Sequence, residues 1–327
     1  MPEVIGTWGD VIRGVGVQFV EFFTQTPLSQ VNGWEPVVKV KRSNDYTSNF
    51  SGKTGAGFLQ RFSDGSVIPS LNRYKLFDTA ITHEPVGGRL EITRQTLLYR
   101  DFGSSFDENN DLVTAVKVYM SRAGAQIFNR AFTSGTGVTA GTRVVTYGDG
   151  VALGSTAHPR ADGGTAQSNA SSTSIPLSET NVETGRIALL NQLQDDGVPM
   201  VAPGELYLVV GINNDKTAQI ITKSDQRAST ANNDINIYGG GYMKVMSSSW
   251  LDSGISGASV GSNTQWFLVA PAWAKLCIEV SSGPDVEVLV DKDTKSKLFD
   301  VILDIGVGSY DWRGIYASQG NNAAYSG

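Results

Sequence analysis

The strongest indication of the fold comes from one deciding stretch, Leu76-Phe77-Asp78-Thr79-Ala80, continued after a short interval by Gly87-Gly88-Arg89-Leu90-Glu91-Ile92-Thr93-Arg94-Gln95. An acidic, turn-rich segment follows it, and a single long helical pattern comes next. No known catalytic arrangement requires this order of elements. The order is typical of a structural subunit that combines an extended loop, a stiff helix and a compact body.

The long helical pattern runs from about Glu108 to Thr133. Asp107 or Asn110 is suited to cap its start, and Ser134-Gly135 follows its end. Since a helix rises ~1.5 Å per residue, this one is expected to be roughly 40 Å long. Its apolar residues recur every three or four positions and predict one buried face: Leu112, Val113, Val116, Tyr119, Met120, Ala123, Ile127, Phe128 and Ala131.

Upstream of the deciding stretch, the sequence predicts a long projecting hairpin. Pro36–Arg42 and Phe58–Phe62 have the composition of strands, and Ser43–Gly57 between them is polar and rich in glycine. The Asp64-Gly65 pair is a strong turn signal. Because an isolated hairpin is only marginally stable in water, this one is expected to need a partner surface.

The first segment, from Gly6 to about Gln25, has apolar residues at roughly helical spacing. Gly14 and Gly16 each weaken a helix by about 1 kcal/mol relative to Ala, so the segment should be stable only when docked. Two interpretations stay open, a mobile arm that packs on another subunit and simple packing on the parent domain. The apolar positions are Trp8, Val11, Ile12, Val15, Phe19, Phe22 and Phe23.

The second half of the chain predicts helices mixed with mainly antiparallel strands, which is an α+β fold. Ser178 should cap a helix that ends at Asp195-Asp196-Gly197, and a second helix is expected at Asn214–Lys223. Residues 135–175 predict irregular strands and loops, and Ser224–Gly241 predicts a flexible surface loop. The predicted strands are Leu206–Val210, Met243–Met246, Gln265–Ala270, Lys275–Val280, Val286–Val290, Leu298–Gly306 and Asp311–Tyr316.

Composition and charge exclude several classes of protein. The formal charge of −6 and the acidic pI argue against a dedicated nucleic-acid binder. Cys277 is the only cysteine, so neither an internal disulfide nor a thiolate metal site can form. Charged residues interrupt every apolar run near the start, so no membrane segment is predicted. The stretch from Lys39 to Lys75 is basic, with seven cations against Asp45 and Asp64. It could meet an acidic surface of a neighbouring copy or be an ordinary solvated loop.

Few residues are candidates for catalysis. A hydrolase would pair a serine with His158 and an acid such as Asp162, but no Gly-x-Ser-x-Gly motif singles out a nucleophile. The paired acids Asp291-x-Asp293 and Asp195-Asp196 fit solvated turns better than a metal site. The run Gly239–Gly241 lacks the residues of a phosphate-binding loop. No catalytic residue, metal or cofactor is therefore predicted.

In their order along the chain, these motifs resemble the major capsid proteins of tailed phages that have the HK97 fold, in particular the Mu-like major head subunits. The resemblance extends from about residue 70 to residue 318. Each motif alone is weak, but the ordered set is moderately specific. The matching stretches are Leu76–Gln95, Leu153–Pro159 with Gly163-Gly164 and Asn169, Leu177–Pro199, Leu206–Val210, Trp266–Pro271 and Gly308–Tyr316.

The resemblance implies five segments. Residues 1–35 would be an N-terminal arm, and residues 36–75 an extended loop called the E-loop. Residues 76–177 would be the peripheral domain, with residues 108–133 as its spine helix. Residues 178–285 would be the axial domain, and residues 286–327 would return to the peripheral domain and form the C-terminal tail.

The resemblance also implies roles for individual residues. Contacts between subunits are expected from the arm and the E-loop, and other residues from the axial loop and from hinges. Lys53 lies in the expected E-loop, but nothing identifies a partner for a covalent crosslink, so none is predicted. The contact residues are Trp8, Phe19, Phe22, Lys53, Arg61 and Asp64; the axial-loop residues are Arg227, Asn232, Asn233 and Tyr238; the hinges are Gly52, Gly135 and Gly239.

The implied function is self-assembly into hexamers and pentamers that close into an icosahedral shell around double-stranded DNA, which is not bound by sequence. The virion would be assembled in the host cytoplasm. A separate scaffolding protein is expected, because no long charged helical region precedes the arm; a portal and possibly a decoration protein would be further partners. The alternatives are an encapsulin-like nanocompartment shell, a soluble hydrolase that uses His158, and a β-rich binding module.

Overall fold

The computed structural model describes residues 33–54, 59–71, 73–95, 102–133, 145–200, 204–226, 235–254 and 261–325, with the backbone alone at residues 102–110 and 112. The α-helices α1 (Phe102–Asn129), α2 (Glu179–Leu190) and α3 (Ile212–Lys223) lie within these ranges. The strands there are β1 (Lys39–Arg42), β2 (Thr47–Lys53), β3 (Lys75–Thr82), β4 (Glu84–Ile92), β5 (Val145–Tyr147), β6 (Leu206–Val210), β7 (Met243–Ser247), β8 (Trp266–Val269), β9 (Leu276–Val290), β10 (Lys297–Ser309) and β11 (Ile315–Ser318).

The larger sheet is built around the long antiparallel pair β9 and β10. Its strand order is β1-β9-β10-β4, and β5 pairs in parallel with the end of β10. Strand β1 pairs in parallel with the first part of β9, from Cys277 to Val280. Beyond Val280, strands β9, β10 and β4 continue together as a three-stranded extension, which we call the distal sheet.

The smaller sheet has the order β11-β8-β6-β7, and helices α2 and α3 pack on it. Strand β6 is fully apolar because both of its faces are covered. Leu206, Leu208 and Val210 face a core that is shared with α2 and α3, while Val209 faces a core that is shared with α1. The smaller sheet therefore joins the two halves of the molecule.

Strands β2 and β3 form a separate antiparallel hairpin, in which Thr47 pairs with Thr82 and Lys53 with Lys75. The predicted pairing of Pro36–Arg42 with Phe58–Phe62 is wrong. Residues 39–42 join the larger sheet instead, and residues 59–62 form no strand. The polar segment expected to be a loop contains β2, because its pairing with β3 outweighs its weak strand propensity. The turn at Asp64-Gly65 is confirmed, and the Ser66 amide donates to the Ser63 carbonyl.

The main core lies between α1 and the two sheets. Trp34 and Phe128 stack at 5.3 Å between ring centroids, and Phe128 also packs against Phe267 of β8. Met120, Ile127 and Phe128 of α1 are completely buried. The apolar stripe that predicted one buried face of this helix is thus confirmed over the part whose side chains are described.

The long helix is confirmed, but both predicted ends are shifted. It begins at Phe102, so the cap candidates Asp107 and Asn110 lie inside it. An Asp or Asn favours a cap but is tolerated within a helix, so residue type alone did not define the start. The helix ends at Asn129, whose side-chain Nδ2 donates a hydrogen bond to the Trp250 carbonyl at 2.7 Å.

Helix α2 begins where predicted, since the Ser178 hydroxyl accepts a hydrogen bond from the Asn181 amide. Its predicted end at Asp195-Asp196-Gly197 is wrong, because it stops at Leu190. The side chain of Gln192 donates to the Ile315 carbonyl and accepts from the Gly314 amide, and these bonds draw the chain away from the helix axis. The Asp195-Asp196-Gly197 stretch forms a turn instead, with Gly197 at φ 80°.

The remaining elements differ from the predictions mainly at their ends. The two strands predicted at 275–280 and 286–290 are one continuous strand, β9, which contains a cis Gly283–Pro284 bond. The strand predicted at Asp311–Tyr316 begins only at Ile315. Strands β6, β7, β8 and β10, helix α3 and the irregular region 145–175 lie where they were predicted, within a few residues.

Candidate assembly interface

The end of the β2–β3 hairpin is covered by exposed apolar side chains. We define the hairpin tip as residues 59–71 with 73 and 74, which connect β2 to β3 and form no strand. Leu59 is 89% exposed, Val67 91% and Ile68 72%, and Phe62 is also exposed. Several large apolar side chains exposed on one short segment are typical of an interaction site in a soluble protein. The tip is therefore a candidate contact surface.

The predicted contact residues Lys53, Arg61 and Asp64 are all exposed and lie on this hairpin. Lys53 is at the end of β2, directly opposite Lys75 of β3. The hinge candidate Gly52 lies at an irregularity of the β2–β3 register between Ser51 and Lys53. A Cβ at Gly52 would lie 2.7 Å from Leu76 Cδ1, so close packing also explains this glycine.

The hairpin is fixed to the body at its root. The imidazole of His83, which lies between β3 and β4, makes a 2.9 Å hydrogen bond with the Tyr46 carbonyl. His83 is buried beside Glu279 of β9, and the Tyr310 hydroxyl donates to the Glu279 carboxylate. Phe50 of β2 packs on Tyr310, with 4.6 Å between ring centroids. These contacts orient the hairpin while its tip stays exposed.

The described part of the predicted axial loop is anchored at alternate residues. Tyr238 is buried, and its hydroxyl donates to Glu183 of α2. Asn236 donates to the carbonyls of Ile221 and Ser224. The expectation of a flexible surface loop is wrong for these two residues, because polar bonds to α2 and α3 hold them. Between them, Ile237 is 64% exposed.

The hydroxyl of the buried Tyr238 contacts a pair of charged side chains on α2, Glu183 and Arg186. Arg186 donates two hydrogen bonds to Glu183, at 2.8 and 2.6 Å. These bonds hold the pKa of Glu183 below its ordinary value against the opposing effect of burial, and the Tyr238 bond adds to them. Burial raises the pKa of Tyr238, and the Glu183 carboxylate raises it further. The hinge candidate Gly239 starts a short 3-10 turn directly after this group.

The other predicted residues lie outside the described part of the chain. They are Trp8, Phe19 and Phe22 of the arm, Arg227, Asn232 and Asn233 of the axial loop, and the hinge Gly135.

His158 is placed as a structural residue. It is completely buried, and its Nδ1 lies 2.6 Å from Asp149 Oδ2. Its Nε2 lies 3.1 Å from the side-chain oxygen of Asn169, which also accepts a hydrogen bond from the Ser155 amide. The ring stacks on Trp312 at 4.1 Å between centroids. Both ring nitrogens therefore face side chains of the fold, those of Asp149 and Asn169, and a serine hydroxyl makes neither contact.

The hydrolase alternative paired His158 with Asp162, and this pairing is wrong. Asp162 is bound by Arg160, and it is Asp149 that holds His158. Sequence reasoning missed Asp149 because Asp149 and His158 meet only through the fold of an irregular loop.

Within the described ranges, no group of three His, Cys, Asp or Glu side chains could hold a metal ion. No helix described there is long and apolar enough to cross a membrane.

A second charged group missed by the sequence surrounds Arg313. Its guanidinium lies 2.9 Å from both Asp195 and Asp311 and donates to the Leu193 carbonyl at 2.8 Å. It also stacks on Trp312, on which His158 packs. These bonds hold the Asp311-Trp312-Arg313 stretch against the turn after α2, so the charged side chains stabilise the fold.

The fold is similar to those of solved phage-type capsids. It resembles the capsid of a native GTA particle with a TM-score of 0.52 and 13% identity over 90% of this chain and 91% of that chain. It resembles the capsid of Ralstonia phage GP4 with a TM-score of 0.51 and 11% identity over 86% of each chain. At these identities the similarity establishes the α+β, HK97-like fold alone. No curated protein sequence matches the chain.

A family model described as phage capsid protein matches residues 77–318, which is well over half of the chain. The match begins within the deciding stretch Leu76–Gln95 and ends with β11. The predictions of a capsid family, of a virion component and of a non-enzymatic structural role are confirmed, whereas the Mu-like subgroup stays a prediction. The chain thus belongs to the phage capsid protein family, and it is a major capsid protein, a structural subunit of an icosahedral virion shell.

Proposed function

We propose that this capsid protein assembles into hexamers and pentamers that close around double-stranded DNA, and that the β2–β3 hairpin acts as the E-loop between neighbouring copies. The exposed apolar tip of the hairpin carries this proposal. An isolated two-stranded hairpin is marginal in water, and Leu59, Val67 and Ile68 remain largely exposed among the described residues. Contact with a second copy would bury these side chains.

The five-segment division fits this role. Residues 1–35 form the arm, 36–75 the E-loop, 76–177 the peripheral domain, 178–285 the axial domain, and 286–327 the return to the peripheral domain. In support, the E-loop range contains β2 and the hairpin tip, and the axial range contains α2, α3 and β6 to β8. Strand β11 pairs with β8, so we add Ile315–Ser318 to the axial domain.

The net negative charge of the chain supports a shell that encloses DNA without binding it tightly. The formal charge of −6 opposes strong binding to phosphates, and tight binding would resist packing and ejection. A separate scaffolding protein, a portal and possibly a decoration protein complete the proposed set of partners. The arm residues Trp8, Phe19 and Phe22, the axial-loop residues and the three glycine hinges keep the roles predicted for them.

Electron microscopy of the purified full chain over a range of concentrations tests this function. We expect closed shells or rings of five and six subunits. A matched variant, Val67→Ser with Ile68→Ser, removes exposed apolar groups and should unfold at the same temperature as the wild type while forming far fewer shells. A wild-type chain that stays monomeric or dimeric at every concentration, with or without scaffold, would contradict the proposal.

A further inference from the structure

One face of the distal sheet is open to solvent and acidic. Side chains alternate along each strand, so the register of β9, β10 and β4 assigns each residue to a face. The buried face carries Phe299, Val301 and Ile92. The opposite face, which we call the acidic face, consists of three rows across the strands: Leu289-Leu298-Glu91, Glu287-Asp300-Arg89 and Asp285-Ile302-Gly87.

The charges on the acidic face are unbalanced. Arg89 is the one cation among these nine described positions. Its guanidinium donates two hydrogen bonds of 2.6 Å to the Asp300 carboxylate, so its charge is already paired. Those bonds keep the pKa of Asp300 below its ordinary value. Asp285, Glu287 and Glu91 are exposed and leave an excess of negative charge. Glu287 is also directly opposite Asp300, which is unfavourable for two like charges.

The acidic face has apolar groups and a hollow as well. Leu289 is 42% and Ile302 46% exposed. Because Gly87 carries no side chain, the surface beside Ile302 has a shallow, open hollow there. An apolar side chain of a partner can therefore lie against Ile302 at this point of the face.

The hairpin tip and the strand ends beside it have the complementary character. Arg61 and Arg73 are exposed on the tip together with Leu59, Val67 and Ile68. Lys53 and Lys75 lie opposite each other where the tip joins the strands. Asp64 is the acid on the described tip, and Asp78 pairs with Lys75 at 2.7 Å. Two lysines directly opposite each other destabilise a hairpin unless negative charge lies nearby.

We infer that the hairpin tip of one copy docks on the acidic face of a second copy, with Arg61 and Arg73 beside Asp285 and Glu287 and an apolar tip residue in the hollow at Gly87. This inference rests on the proposed function and names the surface that receives the E-loop. The contact is heterologous, since two different surfaces of one chain meet, and such contacts generate rings when the rotation closes. Opposite charge selects the partner surface, and the apolar groups supply buried area.

Charge reversal on each side, followed by their combination, tests this contact. The tip variant is Arg61→Glu with Arg73→Glu, and the face variant is Asp285→Lys with Glu287→Lys. Each should reduce the yield of shells at least about tenfold, because close charge pairs across an interface contribute strongly to binding. The four substitutions together leave the net charge unchanged and should restore shells to near the wild-type yield.

A control separates this effect from net charge. Lys216→Glu with Lys223→Glu, on exposed positions of α3 away from both surfaces, changes the net charge as much as the tip variant does and should leave shell yield near wild type. Equal unfolding temperatures of the unassembled subunits would show that all variants fold. Shells that persist in either single-sided variant, or that stay lost in the fourfold variant, would overturn the docking inference. Failure of the wild type itself to form shells would instead overturn the proposed function.

Discussion

Trp34 lies directly against Gly124, and a Cβ at residue 124 would be only 2.4 Å from Trp34 Cδ1. The indole Nε1 donates to the Ser121 carbonyl at 2.8 Å, one turn earlier on α1. A glycine inside a helix usually costs about 1 kcal/mol relative to Ala. Here the cost is offset, because the absence of a side chain at Gly124 leaves space for the buried indole of Trp34.

Substitution of Gly124 by Ala should therefore destabilise the protein, although the same change stabilises an ordinary exposed helix. We expect Trp34→Ala to lower the free energy of unfolding by about 3–5 kcal/mol, as for other buried aromatic residues. Urea unfolding of the unassembled subunit measures both effects. Adding Gly124→Ala to Trp34→Ala should cost nothing further, and a stabilised Gly124→Ala single variant would refute this account.

His158→Ala should act on stability, because it removes the partner of a buried carboxylate. Asp149 has a side chain that is only 2% exposed. Removing one partner of a buried hydrogen bond leaves the other polar group unsatisfied, at a typical cost of about 1–3 kcal/mol. The double variant His158→Ala with Asp149→Asn should be more stable than His158→Ala alone in the same unfolding measurement. Equal stability of the two variants would show that Asp149 is not left unpaired.

Acid should weaken the attachment of the loop at Tyr238 to α2. The pKa of Glu183 is lowered in the folded protein, so its contribution is fully present above the ordinary glutamate pKa of about 4.3. The contribution is lost as the pH falls through the lower folded value. Comparing the unfolding temperature of the wild type with that of Glu183→Gln between pH 7 and pH 3 isolates this effect. The difference should shrink toward low pH, and a constant difference would contradict the assignment.

Cys277 should be unreactive in the folded protein. Burial raises the pKa of its thiol to about 12, and the nearby Glu279 carboxylate adds to the shift. The thiolate is the nucleophilic form, so a thiol reagent at pH 8 meets almost none of it. We expect no labelling of native subunits or shells and stoichiometric labelling in urea. Rapid labelling of the native protein would place Cys277 at the surface.

Local sequence patterns predicted elements whose signals are contained in a few neighbouring residues. The apolar stripe of α1, the Ser178 cap of α2, the apolar run of β6 and the Asp64-Gly65 turn all lie where the sequence placed them. The stretch Leu76–Gln95 became β3 and β4, and it lies almost entirely within the capsid family match. Each of these signals depends on residues that are close along the chain, so no knowledge of the rest of the fold was needed.

Local patterns were therefore enough to predict the α+β class, the main elements and the resemblance to capsid proteins. They did not reveal which strands pair, where α1 and α2 end, or which acid binds His158, because these features depend on contacts between distant segments. Strand β1 pairs with β9 more than 230 residues away along the chain. Helix α2 ends just before Gln192, whose side chain binds the backbone of Ile315 and Gly314. Such contacts depend on how distant segments come together in space, and the free energy of those non-local contacts outweighs the local preferences that a sequence pattern records.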